Sequence, residues 1–221
     1  MKSLTLIVPA KNEPESLPIV LNELEKFEYK ICIVLHGTDT KTIESIKDYD
    51  VNIIYQKNFG YGDAIIEGIN NCNTEYFCIF NADGSFNPSE IDGMFESMQT
   101  RNLDFIFASR YESNSGSEDD TILTLIGNYI FTYIGKIFFR LNVSDILYTF
   151  LIGRTNRAKK LNLSQKDFSF CVELPIKAKK NEMKLGSINA FERKRIAGKK
   201  KVNAFKDGFL ILLHMIKLFF K

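Results

Sequence analysis

Short apolar runs alternate with longer amphipathic segments through the first half of the chain. Continuous apolar runs of this length are typical of strands buried on both faces of a sheet. The predicted strands are residues 4–9, 31–35, 51–55, 76–80 and 103–108. Apolar residues at helical spacing predict the intervening helices, which are residues 16–27, 40–47, 62–70 and 88–100. This order predicts an α/β fold with a mostly parallel central sheet and helices on both faces.

Residues 76–90 are the stretch around which the rest of the chain is organised. An apolar run stops at Asn81 and Asp83, which places a carboxylate at the carboxyl end of a strand, where open α/β sheets bind their ligands. Asn87 before Pro88, with Glu90 three residues after Asn87, predicts a helix N-cap and a capping box. A simple turn, built from residues that tolerate its backbone angles, explains the same stretch equally well.

The pattern changes after the fifth strand. Residues 112–120 are acidic and rich in Ser, Asn and Gly, which predicts a mobile surface loop. Residues 121–135 carry no charge, but a membrane span needs about 20 apolar residues and Lys136 interrupts this run, so we expect a helix on the sheet edge or on a membrane surface. Further strands are predicted at 145–152 and 185–192, and a helix at 168–180.

Composition narrows the possible functions. The chain has 221 residues, 45% of them hydrophobic, which suits one sizeable domain. A net charge of +2 is too small to indicate nucleic acid, and we predict no such partner. Basic residues nevertheless crowd the segment 193–201, which either binds phosphate oxygens or is an ordinary solvated charge run. Four cysteines without C-x-x-C spacing predict buried, reduced thiols in a cytosolic protein.

The loops after the first four strands should converge, because the carboxyl ends of parallel strands meet at one edge of the sheet. Gly60 and Gly62 predict a tight turn into a helix N-terminus that suits an anion. Ile65 occupies the third glycine position of a dinucleotide fingerprint, which disfavours a nicotinamide dehydrogenase. Asp83, with a weaker carbonyl oxygen from Asn81, can bind a divalent ion that bridges a diphosphate.

Six segments together resemble one known family. They are LIVPAKNE (6–13), NFGYGDAIIEG (58–68), IFNADGSFNPSEI (79–91), FASRY (107–111), SDILYTF (144–150) and RIAGKKKVNAFKDG (195–208). In these segments the chain resembles the family 2 glycosyltransferases of GT-A fold, and most closely the dolichyl-phosphate mannose synthases and their bacterial polyprenyl-phosphate relatives. The resemblance extends over about the whole chain in the expected order.

The resemblance implies a GDP- or UDP-linked sugar donor, Mg²⁺ or Mn²⁺, inversion at the anomeric carbon and a polyprenyl phosphate acceptor. It implies catalytic roles for Asp83, Asp145 and Arg195, and metal ligation by Asp83 with weaker help from Asn81 and Ser85. The positions expected at the nucleotide sugar are Pro9, Asn12, Glu13, His36, Asp39, Gly60, Gly62, Asn81, Ala82, Asp83, Arg110 and Lys201.

Three departures from the family pattern leave alternatives open. Asn81 replaces the first aspartate of the metal motif, and Leu35-His36 stands near the usual Asp-Asp pair. Small turn residues after Asp145 are replaced by Ile146, Tyr148 and Thr149. One alternative is a family 2 transferase that extends a surface glycan on a hydroxyl, with Asp145 as general base. The other is an impaired transferase that binds a nucleotide sugar or a partner without turnover.

A lipid acceptor requires access to a membrane. We divide the chain into a transferase domain, residues 1–203, and a C-terminal apolar helix, residues 204–221. That helix could lie in the interface with Lys206, Lys217 and Lys221 near headgroups, which predicts a peripheral protein on the cytoplasmic face. A helix packed on the core and a membrane-spanning partner subunit are the alternatives.

Overall fold

The computed structural model describes residues 3–198 and 200–220 of the chain. The strands are β1 (Leu4–Pro9), β2 (Lys30–Leu35), β3 (Asn52–Tyr55), β4 (Tyr76–Ile79), β5 (Phe105–Ser109), β6 (Gly116–Ser117), β7 (Leu151–Arg154), β8 (Leu185–Asn189) and β9 (Phe191–Glu192). The helices are α1 (Leu17–Leu24, then a 3-10 turn Glu25–Phe27), α2 (Thr40–Ser45), α3 (Tyr61–Asn71), α4 (Glu90–Thr100), α5 (Ile122–Phe139), α6 (Thr155–Lys160), α7 (Phe170–Lys180) and α8 (Ala204–Phe219).

The main sheet has seven strands in the order β3-β2-β1-β4-β7-β5-β8. Every neighbouring pair is parallel except those of β7, which runs antiparallel to β4 and β5. The chain runs outward from β1 to β3 and then returns to β4 on the other side of β1. Such a reversal leaves a crevice at the carboxyl ends of the two central strands, which here are β1 and β4. The predicted mostly parallel α/β sheet is confirmed.

Both faces of the sheet are covered, which explains why its strands are continuously apolar. Leu6 and Val8 of β1 point to one face and join a buried cluster with residues of α1 and α4. Ile7, between them, points to the other face and joins a second cluster with residues of α3 and α7. Alternate residues of one strand therefore enter different cores, and neither face can be polar.

A third cluster joins α5, α7 and α8. Ile211, Met215 and Leu218 of α8 pack against Val172 and Ile176 of α7. The rings of Phe138 and Phe219 meet edge to face with their centroids 5.7 Å apart, so α5 and α8 lie side by side. The segment 204–220 therefore packs on the α/β domain through one face. Lys221 lies outside the described residues.

Helix α5 corrects one expectation. By length and composition it is long and apolar enough to cross a membrane, contrary to the estimate that the run is too short. Its polar side chains tie it to the domain, since Asn128 donates to the Tyr111 hydroxyl (2.7 Å) and the Thr132 hydroxyl accepts from the backbone N–H of Ile146 (3.2 Å). Helix α5 is thus a domain helix with one outward apolar face.

Two predicted strands are shorter than expected. The run 145–152 forms strand only from Leu151, because Ile146 donates its N–H to a side chain of α5 instead of to a neighbouring strand. The run 185–192 is divided at Ala190 into β8 and β9, which belong to different sheets. Alternating apolar residues indicate burial but do not show which hydrogen-bond partner a backbone finds.

The predicted capping box at α4 is wrong. Asn87 Oδ1 accepts from the N–H and the hydroxyl of Ser89 within a local turn, and the helix begins at Glu90. Glu90 Oε1 accepts from the backbone N–H of Phe191 at 2.9 Å, so this carboxylate serves a distant strand.

Candidate active site

A cavity of about 510 Å³ opens at the carboxyl edge of the sheet. The loops after β1, β2, β3 and β4 all contribute to its wall, as the sequence predicted. Of the predicted site residues, the wall contains Pro9, Asn12, Glu13, His36, Asp39, Gly60, Asn81, Ala82, Asp83, Ser85, Arg110, Arg195 and Lys201. Gly62 and Asp145 lie outside it.

Asp83 is held by a local turn. Its Oδ1 accepts from the N–H of Ser85 at 3.0 Å and from the Ser85 hydroxyl at 2.7 Å. Gly84 between them has φ +80°, a conformation that favours glycine. One carboxylate oxygen is therefore fixed by the turn, and the other, Oδ2, faces Arg195. Ser85 therefore orients Asp83, and its weak ligand role stays a prediction.

The basic segment lies across this turn and is called the strap, residues 193–198 and 200–202. Arg193 donates its backbone N–H to the carbonyl of Ser85, and Ile196 donates to the carbonyl of Asp83, both at 2.8 Å. A Cβ on Gly84 would lie 2.4 Å from the Ile196 side chain, so the strap sits directly on the glycine. The alternative of a solvated charge run does not describe this segment.

The strap brings its cations to carboxylates. Arg195 binds Asp119 through Nε (3.1 Å) and Nη2 (2.7 Å), and Lys200 Nζ lies 3.3 Å from the same carboxylate. Burial raises the pKa of Asp119, but the bonds from Arg195 and Lys200 outweigh it and lower that pKa overall. Arg195 Nη1 also lies 3.5 Å from Asp83 Oδ2. The acidic segment 112–120 is therefore more than a surface loop, because Asp119 and Asp120 line the cavity.

The loop after β1 forms the opposite corner. The N–H of Asn12, whose φ is +52°, donates to Asp39 Oδ2 at 2.6 Å. The N–H of Glu13 donates to the Thr42 hydroxyl at 2.9 Å, and Lys201 of the strap donates to Glu13 Oε1. The N-cap residue Asp39 and the first-turn residue Thr42 of α2 thus orient this loop.

An aromatic pair stands at the edge of the cavity. The rings of His36 and Phe59 stack with their centroids 4.0 Å apart, and Phe59 is largely exposed. His36 Nδ1 lies 2.8 Å from the Thr38 hydroxyl, which holds the ring in place. Flat exposed rings of this kind suit a nucleobase, in keeping with the place predicted for His36. Phe59 was not identified from the sequence.

Asn81 takes part in a neutral hydrogen-bonded group. The Tyr61 hydroxyl lies 3.1 Å from Asn81 Oδ1 and 2.5 Å from the Thr149 hydroxyl. Burial raises the pKa of Tyr61, so this hydroxyl stays protonated. The Asn81 carbonyl oxygen therefore already accepts one hydrogen bond, which leaves its second lone pair as the one open to a metal.

The glycine loop does not form the anion site that the sequence predicted. A Cβ on Gly60 or Gly62 would lie 2.0 Å from the carbonyl of Lys166 or 2.1 Å from that of Gln165. The N–H of Asp63 donates to Lys166 O at 3.1 Å, and its carboxylate already occupies the first turn of α3. The glycines are needed because another segment of backbone packs against the helix N-terminus.

Arg110 and Asp145 form a buried pair. Arg110 Nε and Nη2 donate to the two oxygens of Asp145 at 2.7 and 3.1 Å, and Asp145 is 0% exposed. Arg110 Nη1 donates to Glu192 Oε2 at 3.0 Å and lies 3.4 Å from Asp120 Oδ1. The guanidinium is thus committed to carboxylates and not to phosphates. Asp145 holds Arg110 and is unavailable as a base at the cavity.

Comparison with known proteins decides the family. The model of glycosyl transferase family 2 matches residues 5–161. The chain belongs to that family. Over 211 residues it is 23% identical to a UDP-N-acetylglucosamine–dolichyl-phosphate N-acetylglucosaminyltransferase of Methanococcus voltae, covering 85% of this chain and 84% of that protein. It is also 28% identical over 105 residues to an undecaprenyl-phosphate 4-deoxy-4-formamido-L-arabinose transferase of Photorhabdus laumondii, covering 41% of this chain and 32% of that protein.

The fold of this glycosyltransferase matches solved structures. The glucosyl-3-phosphoglycerate synthase of Mycobacterium tuberculosis, crystallised with Mn²⁺, UDP and glucosyl-3-phosphoglycerate, superimposes with a TM-score of 0.74. The match covers 97% of this chain and 79% of that one at 9% sequence identity, which establishes the GT-A fold alone. The predicted fold and the predicted resemblance to polyprenyl-phosphate glycosyltransferases are confirmed.

The site of this glycosyltransferase offers a divalent cation one protein carboxylate, that of Asp83. No group of three or more His, Cys, Asp or Glu side chains able to hold a metal occurs within residues 3–198 and 200–220. Among the described residues, Asp83 Oδ2 has only the long contact to Arg195. One carboxylate is enough when substrate phosphates complete the coordination. The described wall also carries eight carboxylates against five Lys or Arg side chains. The described wall is therefore negative in formal charge, and a cation would offset that charge beside a bound diphosphate.

Proposed function

We propose that this glycosyltransferase moves a sugar from a nucleoside diphosphate donor to a polyprenyl phosphate, with inversion and with a divalent metal. The observation that carries the proposal is the course of the cavity. It runs from the strand-end loops to Asn128 of α5 and to Asp207 and Ile211 of α8. The outer faces of both helices are apolar and exposed, so the cavity extends from a nucleotide-type site to two helices that present a lipid-type surface on their other side.

The chemistry follows from charge. An oxygen of the acceptor phosphate attacks the anomeric carbon, the bond from that carbon to the diphosphate breaks, and the nucleoside diphosphate leaves with the bonding electrons. A phosphate is already anionic at neutral pH, so no side chain has to remove a proton. A divalent ion held by Asp83 would supply charge neutralisation for the leaving diphosphate. Arg195, Lys200 and Lys201 add positive charge at the same place and orient the donor.

The alternative with a hydroxyl acceptor is less well supported. That reaction requires a general base within hydrogen-bond reach of the acceptor. Asp145, the predicted base, is 0% exposed and bound at both oxygens by Arg110. A lipid phosphate acceptor does not need the missing base.

The names of the relatives support the choice of substrates. The protein from Methanococcus voltae is named for a UDP-linked sugar and dolichyl phosphate, and that from Photorhabdus laumondii for undecaprenyl phosphate. The similar solved structure contains UDP and Mn²⁺. We therefore favour a UDP-linked donor over a GDP-linked one.

Helices α5 and α8 are the proposed membrane contact. Their exposed side chains include Ile126, Tyr129, Ile130, Tyr133, Ile137, Phe138, Phe205, Phe209, Leu212, Leu213, Ile216 and Phe219. Exposed Lys136, Lys206 and Lys217 accompany them and match anionic headgroups. We assign this face to the cytoplasmic surface of a bilayer, as expected for a peripheral enzyme with a lipid substrate.

Release of nucleoside diphosphate tests the proposal. Purified protein with Mn²⁺ and a panel of UDP- and GDP-sugars should release nucleotide when vesicles contain polyprenyl phosphate, and not when soluble sugars replace it. Asp83→Asn should abolish the release, whereas Asp48→Asn, at an exposed position, should not change it. Release with soluble sugars alone would reject the lipid acceptor, and activity in Asp83→Asn would reject the metal assignment.

A further inference from the structure

Tyr148 has a hydroxyl group that the protein leaves without a partner. The residue is 3% exposed and lines the cavity. Its hydroxyl oxygen is buried and has no hydrogen-bond partner among the described residues. A buried hydroxyl without a partner is unfavourable, so a ligand that enters the cavity and accepts a hydrogen bond from Tyr148 would relieve that cost.

The ring that carries this hydroxyl is rigidly held. The Arg110 guanidinium lies over it, 4.4 Å from the centroid. Phe86 packs against the ring at 5.0 Å in an edge-to-face arrangement, and Phe150 does so at 6.3 Å. Because packing fixes the ring on these sides, the hydroxyl cannot turn away to find water elsewhere.

Glu192 supplies the complementary group. Its Oε2 accepts from Arg110 Nη1 and, at 2.5 Å, from the Ser117 hydroxyl, while Oε1 has no hydrogen bond within the part of the chain that the structure describes. Glu192 also lines the cavity. Burial raises the pKa of Tyr148 well above its usual value of 10, and the Glu192 carboxylate adds to the shift, so the tyrosine remains a donor.

We propose that Tyr148 and Glu192 Oε1 together bind a hydroxyl group of the donor's sugar, an inference that rests on the proposed glycosyl transfer. A sugar hydroxyl accepts one hydrogen bond and donates another, so it satisfies the tyrosine and the carboxylate at once. A phosphate oxygen only accepts, and the Glu192 carboxylate would repel it. The family resemblance predicts a small turn residue at position 148, so the tyrosine hydroxyl is a contact that the motif pattern did not predict.

Tyr148→Phe separates a ligand contact from a structural one. The change keeps the ring and its packing and removes only the hydroxyl. We expect an unchanged or higher unfolding temperature, unchanged affinity for UDP and GDP, and about a tenfold loss in affinity for the sugar-bearing nucleotide relative to the bare one. UDP-N-acetylglucosamine, UDP-glucose and GDP-mannose, each titrated against its own nucleotide with Mn²⁺ present, are the probes.

Tyr49→Phe is the matched control. The Tyr49 hydroxyl has partners, since it donates to Asn22 Oδ1 at 2.9 Å and lies 3.2 Å from Pro18 O, and it lies away from the cavity. Its loss should lower the unfolding temperature and leave the ratio of the two affinities unchanged. Tyr148→Phe should therefore change the affinity ratio and not lower the unfolding temperature, whereas Tyr49→Phe should lower the unfolding temperature and not change the ratio.

Several results would overturn the inference. For Tyr148→Phe they are an unchanged affinity ratio, an equal loss of affinity for the bare and the sugar-bearing nucleotide, or a lower unfolding temperature with normal binding. For the wild type, the contradicting result is that no sugar-bearing nucleotide binds more tightly than the bare one. If Tyr148→Phe loses affinity only for a short-chain prenyl phosphate, the Tyr148 hydroxyl contacts the acceptor, and the proposed contact with the donor's sugar is wrong. A wild type that discriminates sugars but transfers none to prenyl phosphate would reject only the proposed acceptor.

Discussion

Arg195 Nη1 lies 3.5 Å from Asp83 Oδ2 while Nε and Nη2 of the same guanidinium bind Asp119. A divalent cation on Asp83 would be repelled by a guanidinium so close to its ligand. A diphosphate offers Arg195 another anionic partner. Metal affinity should therefore rise when a nucleotide diphosphate binds, with the two ligands coupled reciprocally.

Arg195→Met should raise the affinity for Mn²⁺ about tenfold in the absence of nucleotide, because one repelling charge is removed. It should also weaken the coupling between Mn²⁺ and UDP, measured from free Mn²⁺ by electron paramagnetic resonance. Lys200→Met is the control, since Lys200 shares Asp119 with Arg195 but has no contact with Asp83. Equal effects of the two variants would show that any nearby positive charge lowers the Mn²⁺ affinity, which would contradict a direct competition between Arg195 and the metal for Asp83.

Gly84→Ala should disturb the strap. The new Cβ would meet the Ile196 side chain at 2.4 Å, and the residue would keep a φ of +80°. We expect a loss of about 1–3 kcal/mol in the free energy of unfolding, with weakened nucleotide binding. Gly93→Ala in α4 meets no atom within 4 Å and should instead stabilise the protein by about 0.5–1 kcal/mol. Urea unfolding of both variants checks the prediction, and a neutral Gly84→Ala would contradict it.

Arg110→Met should be strongly destabilising, because it leaves the buried Asp145 carboxylate without its partner. Losing one member of such a pair typically destabilises by about 3–5 kcal/mol. Lys47→Met breaks an exposed pair with Glu44, and such a pair contributes little to the free energy of unfolding. Comparing the free energies of unfolding tests this. Similar losses in the two variants would show that the Arg110 pair is not structural.

His214 should make stability depend on pH. Burial lowers the pKa of His214 below 6.5, the Lys217 and Lys177 charges lower it further, and Glu173 and Asp167 oppose them. The unfolded chain then binds more protons than the folded one near that pH, so stability is lost as the pH falls below about 6.5. His214→Leu should be increasingly more stable than wild type as the pH is lowered from about 8 to about 5.5. A pH-independent difference in the free energy of unfolding would contradict the assignment.

The α5 and α8 face should bind lipid. Phe209→Asp and Ile130→Asp each place a charge on it and should reduce co-sedimentation with anionic vesicles about tenfold. Ile19→Asp changes an exposed apolar residue on α1 and should have no effect. If the wild type binds vesicles only together with a membrane-spanning protein, the direct contact is wrong and the partner-subunit alternative replaces it.

The sequence predicted the arrangement that local patterns control. Apolar runs gave the order of strands, and the polar residues after β1 and β4 gave the position of the cavity, because parallel strands share an edge. Asp83 could be identified since its motif lies within a few residues of its strand. The acidic segment 112–120 and the basic strap were also visible as opposite charges, which is the one signal that could have paired Asp119 with Arg195.

The tertiary structure decided the partners. Arg195 meets Asp119 across 76 positions, and Glu192 meets Arg110 across 82, separations over which no periodicity specifies a contact. Gly60 and Gly62 suggested an anion site, yet the backbone of residues 165–167 fills that space. The fold also buries the carboxylate of Asp145, a predicted catalytic residue, against Arg110, 35 positions away. The sequence by itself determined the order of the strands and helices and the apolar positions that fill the core, because these follow from local patterns. Only the tertiary structure decided which distant side chains pair and which polar groups, such as the Tyr148 hydroxyl, have no hydrogen-bond partner among the described residues, because those contacts depend on packing.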